Sequence, residues 1–207
     1  MKLHIVGAAI VLTGVLSACS SSGGYGGGQS QFDEVLSFID RRGPEDENIQ
    51  GVAVEDLPDT AEMSGVLAAQ IDTSPSMFIG DANATADFAG GTLTGQANNF
   101  TEYEVTDACD VGTDGCSGTA LQSLDGALDI TGSISGTSFT YTTSGTLMGE
   151  DPELGSVSAD IDMDGVGDFG TIDGNLVAFG TSEGTADLSS SEGSETTGAF
   201  GILLLEE

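Results

Sequence analysis

The chain has 207 residues, and 34 acidic side chains against three basic ones give it a formal net charge of −31 at pH 7. This charge excludes nucleic acid as a partner, because phosphate backbones are bound by lysine and arginine. The one histidine is His4, so the rest of the chain lacks the residue that supplies most general bases and many metal ligands near neutral pH. The composition therefore predicts a protein that is not an enzyme and carries no cofactor.

Residues 1–18 are predicted to be a lipoprotein signal peptide. A cationic start is followed by the apolar run 5–16, which is too short to cross a hydrocarbon layer that needs about 20 residues. The run ends at Leu16-Ser17-Ala18-Cys19, which resembles a bacterial lipobox. We expect cleavage before Cys19 and stable anchoring to a membrane through the acyl chains on that cysteine. The alternative is an ordinary signal peptide with a chance cysteine.

Residues 19–31 are predicted to be the lipidated cysteine and a flexible Ser/Gly-rich tether. Twelve residues of this composition span about 20 Å as a random coil. Ser20 occupies the position at which an aspartate tends to retain lipoproteins at the inner membrane. We therefore expect a lipid-anchored protein of the cell outer membrane.

Residues 32–59 are predicted to be one short helix followed by an acidic linker. Apolar side chains recur at helical spacing from Phe32 to Ile39, which favours a helix over Phe32–Arg41. The linker contains prolines and ends where the amino-acid composition changes, near Thr60.

Residues 60–207 are predicted to form an all-β domain, because short runs of alternating apolar and polar residues are bounded by glycine. The run 156–164 is the clearest, with Val157, Ala159, Ile161 and Met163 on one face. The predicted strands are Met63–Ile71, Ala82–Ala89, Phe100–Thr106, Leu121–Ile130, Ser138–Leu147, Ser156–Asp164, Asn175–Phe179 and Thr197–Leu205. Eight strands suit a small closed antiparallel barrel without exposed edges.

A loose repeat favours an up-and-down order of these strands. The segments 86–95, 128–136 and 167–174 share the order Asp, apolar, turn, apolar, polar, Gly, and each is predicted to contain a strand end, a tight turn and a returning strand. Because one face of each predicted strand is polar, we expect a soluble barrel and not one that spans a membrane.

Two cysteines remain after lipidation of the first. Cys109 and Cys116 form an even pair in an exported chain, which predicts a disulfide. It would close a short loop and stabilise the fold by roughly 2.5 kcal/mol in the chain-entropy model.

The segment 160–168, DIDMDGVGD, has the oxygen-rich spacing of calcium-binding loops, with Asp160, Asp162, Asp164 and Asp168 as the candidate ligands. The alternative is that the first two carboxylates lie on the polar face of a strand, with a turn opening at Asp164. Strand geometry would separate them by about 7 Å, too far to wrap one ion. The sequence leaves calcium binding open.

Several features together resemble the β-barrel domain of transferrin-binding-protein-B-like surface lipoproteins. They are the lipobox, the tether, Leu57-Pro58 before the first predicted strand, the Asp87-Phe88 hairpin and the closing stretch GTADLSSSEGSETTGAFGILL. Glu195, Gly198 and Phe200 fit the family's final hairpin, whereas three serines replace its aromatic-Gly-Pro turn. The resemblance covers residues 57–207.

The resemblance implies an eight-stranded barrel at the cell surface that serves as a capture or delivery accessory, with an outer-membrane receptor or transporter as its partner. No ligand-binding residue of the family matches a position in this chain. Two alternatives stay open: a structural or envelope-interaction lipoprotein without a small ligand, and a calcium-dependent adhesion module. The sequence does not name the ligand.

Overall fold

The computed structural model describes residues 29–42, 48–72, 76–105 and 118–207. The signal peptide, the lipidation site Cys19 and the predicted disulfide between Cys109 and Cys116 lie outside these ranges and stay predictions.

The described residues form one helix and ten strands. The bounds are α1 (Gln29–Arg42), β1 (Gln50–Gly51), a 3₁₀ turn (Val54–Asp56), β2 (Thr60–Ile71), β3 (Ser76–Asp87), β4 (Thr92–Val105), β5 (Gly118–Ser123), β6 (Asp125–Ser135), β7 (Ser138–Asp151), β8 (Gly155–Ile172), β9 (Asn175–Ser190) and β10 (Gly193–Glu206). The predicted helix is confirmed, and it begins at Gln29 instead of Phe32.

The strands close into an eight-stranded antiparallel up-and-down barrel, which confirms the predicted fold class. The staves β2, β3, β4, β6, β7, β8, β9 and β10 pair in that order, and β10 pairs back onto β2 from Ala199↔Ile71 to Glu206↔Ser64. Two short strands extend it: β1 pairs with the end of β8, and β5 pairs with the end of β4.

The predicted strand Leu121–Ile130 is an interrupted one. It comprises β5 and β6, which lie in line beside β4 and are separated by Leu124, whose backbone N–H donates to the carbonyl of Phe100 at 2.8 Å. Opposite this break, Asn99 has a positive φ of 54°. The local geometry is that of a β-bulge.

Two of the three predicted repeat turns are wrong. The segment 128–136 lies in β6 up to its final glycine, and 167–174 lies in β8 up to Ile172. The chain therefore turns at the end of each segment instead of in its middle. The glycines inside these segments make room in the barrel. A Cβ on Gly167 would lie 2.4 Å from the ring of Phe139. In these strands glycine marks close packing and not a turn.

The interior of the barrel is filled by the inward side chains of the alternating strands. Phe139 packs against Phe169 with ring centroids 4.9 Å apart, and Phe88 closes on Phe169 at 4.8 Å. Around them lie fully buried aliphatic and aromatic residues: Leu67, Leu93, Phe100, Leu128, Ile130, Met163 and Leu203.

A second apolar cluster lies outside the barrel, beneath α1. The helix buries Phe32, Val35 and Phe38 against outward side chains of the staves. Those outward residues are Val66, Ala68, Ile79, Tyr103, Val177 and Leu204. We call this covered side of the barrel the helix face.

Candidate functional site: the open face of the barrel

The outer surface away from α1 is a polar sheet. We call the outward side chains of β6, β7, β8 and the second half of β9 the open face. Across it, Thr131, Thr142, Asp164 and Glu183 occupy neighbouring register positions on successive staves, and all four are exposed. The hydroxyls of Thr131 and Thr142 are 2.9 Å apart and share a hydrogen bond.

The open face concentrates carboxylates on two adjacent strands. They are Asp160, Asp162, Asp164 and Asp168 on β8 and Glu183 and Asp187 on β9. The register sets Asp160 opposite Asp187 and Asp164 opposite Glu183. Like charges placed directly opposite each other across a strand pair destabilise it.

These two opposed pairs differ in their surroundings. Asp160 accepts a hydrogen bond from Thr146, and Asp187 accepts one from Thr196. Among the described residues, neither Asp164 nor Glu183 has a hydrogen bond or an ion pair from its side chain. This second pair is therefore the uncompensated one.

The candidate calcium ligands do not converge. Asp160, Asp162 and Asp164 alternate along the outer side of one continuous strand, and the predicted turn at Asp164 is wrong because β8 runs on to Ile172. Asp168 accepts a hydrogen bond from Ser138 at 2.7 Å. In the part of the chain that the structure describes, no group of three or more acidic, histidine or cysteine side chains is arranged to hold a metal ion.

Two adjoining depressions lie on the open face. Their volumes are about 840 Å³ and 490 Å³, and they share Ser133, Thr140, Val166 and Thr181 as lining residues. Val166 stands between them with 63 % of its surface exposed, which is the largest exposure of any large apolar side chain described. It lies on the same side of β8 as the two nearest aspartates, 164 and 168.

Tyr141 lies inside the barrel, beneath this face. Its ring packs against Phe139 with centroids 5.7 Å apart, and it occupies the space left by the missing side chain of Gly165, where a Cβ would lie 2.4 Å from the ring. Burial raises the pKa of Tyr141 to about 12. The neighbouring Ser182 hydroxyl partly offsets this shift, but the Tyr141 hydroxyl has no hydrogen-bond partner of normal geometry, and neither has that of Thr143. At 2 % exposure, Tyr141 is a packing residue of the barrel interior.

The helix face, by contrast, is held by the only two arginines of the described chain. Arg41 makes a two-armed contact with Glu206, at 3.1 Å and 2.8 Å, and Arg42 lies over the ring of Phe179 at 4.5 Å. At the other end of α1, the buried Gln31 donates to Asp81 at 2.7 Å. Sequence reasoning found the helix but none of these contacts, since each joins residues far apart in the chain.

The ion pair between Arg41 and Glu206 shifts the pKa of both residues. The hydrogen bond from Arg41 holds the pKa of Glu206 below its ordinary value, and the same bond raises the pKa of Arg41. Both basic side chains are thus engaged with the helix face and the C-terminal strand. Neither lies on the open face, which is left with unbalanced negative charge.

None of the helical residues described makes a segment long and apolar enough to cross a bilayer. Comparison of the chain with models of protein families, with curated proteins and with solved structures finds no match.

Proposed function

We propose that this protein is an outer-membrane, surface-exposed lipoprotein that acts as a non-catalytic binding accessory for capture of a nutrient or other ligand. The observation that carries the proposal is the contrast between a filled barrel interior and an open, carboxylate-lined outer face. A barrel packed with Phe, Leu and Met side chains leaves no room for the internal calyx that small-ligand carriers of similar size use. We therefore assign binding to the outer surface.

The open face supports a binding role on energetic grounds. An outward pair such as Asp164 and Glu183 costs folding free energy when both are ionised and uncompensated. A surface on which charges of both signs are interspersed would avoid this repulsion. A partner that supplies positive charge would recover that free energy on binding.

The sequence supports the anchored location. The apolar run that ends at Cys19 has the length and flanks of an export signal with a lipobox, and the Ser/Gly tether would connect the acylated residue to α1. The resemblance to transferrin-binding-protein-B-like lipoproteins points in the same direction, and it makes an outer-membrane receptor or transporter the expected partner.

Metabolic labelling tests the anchor. Cells expressing the wild-type chain and the Cys19→Ala variant are grown with a labelled fatty acid, and we expect label on the first only. Cys109→Ala is the matched control, because it removes a cysteine outside the lipobox and should keep the label. Label that survives Cys19→Ala, or no label on wild type, contradicts the proposal.

Protease treatment of intact cells tests the surface location. We expect the protein to be digested while a periplasmic marker survives. Digestion only after the outer membrane is opened would place the protein on the inner leaflet and favour the alternative of an envelope-interaction lipoprotein.

A further inference from the structure

We propose that the open face is a docking surface for a partner-protein segment that carries lysine or arginine side chains beside an aliphatic one. Val166 would provide the apolar contact, and Asp164 and Glu183 the charged contacts. This inference rests on the proposed binding role and names the chemistry of the partner.

The sign of the charge follows from the register. Six exposed carboxylates lie on β8 and β9, and two pairs of them face each other directly. No basic residue follows Arg42 in the sequence, so nothing from the rest of the chain can neutralise them. An incoming cationic side chain would relieve the repulsion at Asp164 and Glu183, the pair that lacks any hydrogen bond among the described residues.

The apolar component follows from Val166. It is the most exposed large apolar residue described, and it lies between the two depressions with carboxylates on either side along β8. Protein interfaces combine a desolvated apolar centre with a polar rim, and this arrangement has both on a small scale. A purely ionic ligand would leave Val166 in water.

Other occupants fit less well. A second copy of this chain carries the same formal charge of −31, and its only two arginines are already engaged with Glu206 and Phe179. Nucleic acid is repelled for the same reason. A divalent cation would need convergent ligands, and the described carboxylates do not converge.

A defined peptide tests the docking surface. The full-length chain in detergent is titrated with a fluorescent peptide of alternating arginine and valine, and binding is followed by anisotropy at low and at physiological ionic strength. We expect the double variant Asp164→Asn/Glu183→Gln to weaken binding about tenfold, because it removes the two charges at the centre of the face. Val166→Ser should weaken it about fivefold for this peptide and leave binding of an arginine-serine peptide unchanged.

The matched control removes the same charge elsewhere. Glu55→Gln/Glu62→Gln changes two exposed carboxylates that lie off the open face, in the 3₁₀ turn and on β2. We expect it to change peptide affinity by less than about twofold, an effect of net charge alone. All variants alter exposed side chains, and a cooperative thermal unfolding transition verifies that each is folded.

Three outcomes would overturn the proposal. Equal weakening by both double variants would mean diffuse attraction with no site, and no measurable binding at low ionic strength would mean no docking surface. Displacement of the peptide by calcium, but not by sodium at equal ionic strength, would assign the face to a divalent cation. These results do not depend on acylation, so they are separable from the labelling experiment with Cys19→Ala.

Discussion

The barrel has two outer faces built by the same strand geometry, and they differ in what covers them. On the helix face, outward positions such as Val66 and Leu204 are apolar and fully buried under α1. On the open face, outward positions such as Thr142 and Asp164 are polar and exposed. The inward positions of both faces are mostly apolar. The outward residues alone therefore decide which side receives the helix and which faces solvent.

The difference between the two outer faces is visible in the strand sequences. Residues 66–69 read VLAA and residues 202–205 read ILLL, with apolar side chains on both faces, whereas 157–163 alternates strictly. A strand that is buried on both faces reads as a continuous apolar run, and a strand that is buried on one face alternates. In this chain the strands with continuous apolar runs are those on which α1 packs.

The largest expected effect comes from truncating the centre of the helix face. Phe32→Ala removes a ring that packs against Tyr103 at 5.4 Å and lies over Gly118, so we expect a loss of about 3 kcal/mol in the free energy of unfolding. Thr142→Ala on the open face is the comparison and should change it by less than about 0.5 kcal/mol. Denaturant unfolding measures both. Similar losses would mean that the two faces contribute alike.

The ion pair at the C-terminal end of α1 is the next largest contribution. Arg41→Gln breaks the contact with Glu206 and removes a cation over Phe38, and we expect a loss of about 1.5 kcal/mol, allowing for solvent at this partly exposed site. The low pKa of Glu206 means that its contribution is present above the unfolded carboxyl value of 4.5 and is lost as pH falls through the folded value.

The pH dependence of unfolding separates this pair from ordinary packing. Wild type should lose the contribution of Glu206 on acidification below about pH 5, and Arg41→Gln should show a correspondingly smaller loss over the same range. Asp40→Asn, which removes a carboxylate on the exposed side of α1, is the matched control for the loss of one charged residue from the helix. An unaltered slope in Arg41→Gln would show that the pair does not stabilise the helix face.

The fold was largely predictable from the sequence, because alternation and strand number are local properties that tertiary packing here reinforces. The misplaced turns have one cause: Gly132 and Gly170, which the repeat predicts to be turn residues, lie inside strands where atoms of the neighbouring segment leave no room for a Cβ. Steric demand of this kind depends on the partner strand and cannot be derived from one segment.

The candidate site was predictable only in part. The strand 156–164 was predicted with its aspartates on the polar face, but the pairing of Asp164 with Glu183 depends on the register of β8 and β9. The contact between Arg41 and Glu206 joins residues 165 positions apart. Such contacts exist only after the barrel closes, so no local pattern encodes them.

Beneath the open face, Tyr141 provides a smaller effect of opposite sign. Its buried hydroxyl has no hydrogen-bond partner of normal geometry, so we expect Tyr141→Phe to stabilise the protein by about 1 kcal/mol at neutral pH. The raised pKa of Tyr141, about 12, also predicts a difference between wild type and variant in unfolding at alkaline pH. Because the unfolded chain releases this proton near pH 10.0 and the folded protein only near pH 12, the free energy of unfolding of wild type falls over this range, and the variant should resist alkaline unfolding better.

Tyr103→Phe is the comparison for this experiment, because Tyr103 lies under the helix face and its hydroxyl donates to Gln31 at 3.4 Å. Removing a satisfied hydroxyl should cost stability, and removing an unsatisfied one should not. If Tyr141→Phe destabilises the barrel as much as Tyr103→Phe, the hydroxyl of Tyr141 has a partner in solution.

The smallest expected effect on the free energy of unfolding comes from removing one negative charge from the open face. Glu183→Gln removes one member of the opposed pair with Asp164, and we expect it to raise the free energy of unfolding by about 0.5 kcal/mol at low ionic strength. Salt screens exposed charges, so the gain should vanish in molar salt, where wild type itself becomes more stable. Thermal melting across a salt series measures this, with Glu55→Gln as the control for net charge. A gain that persists in high salt, or an equal gain from the control, would mean that the open face carries no local repulsion for a basic partner to relieve.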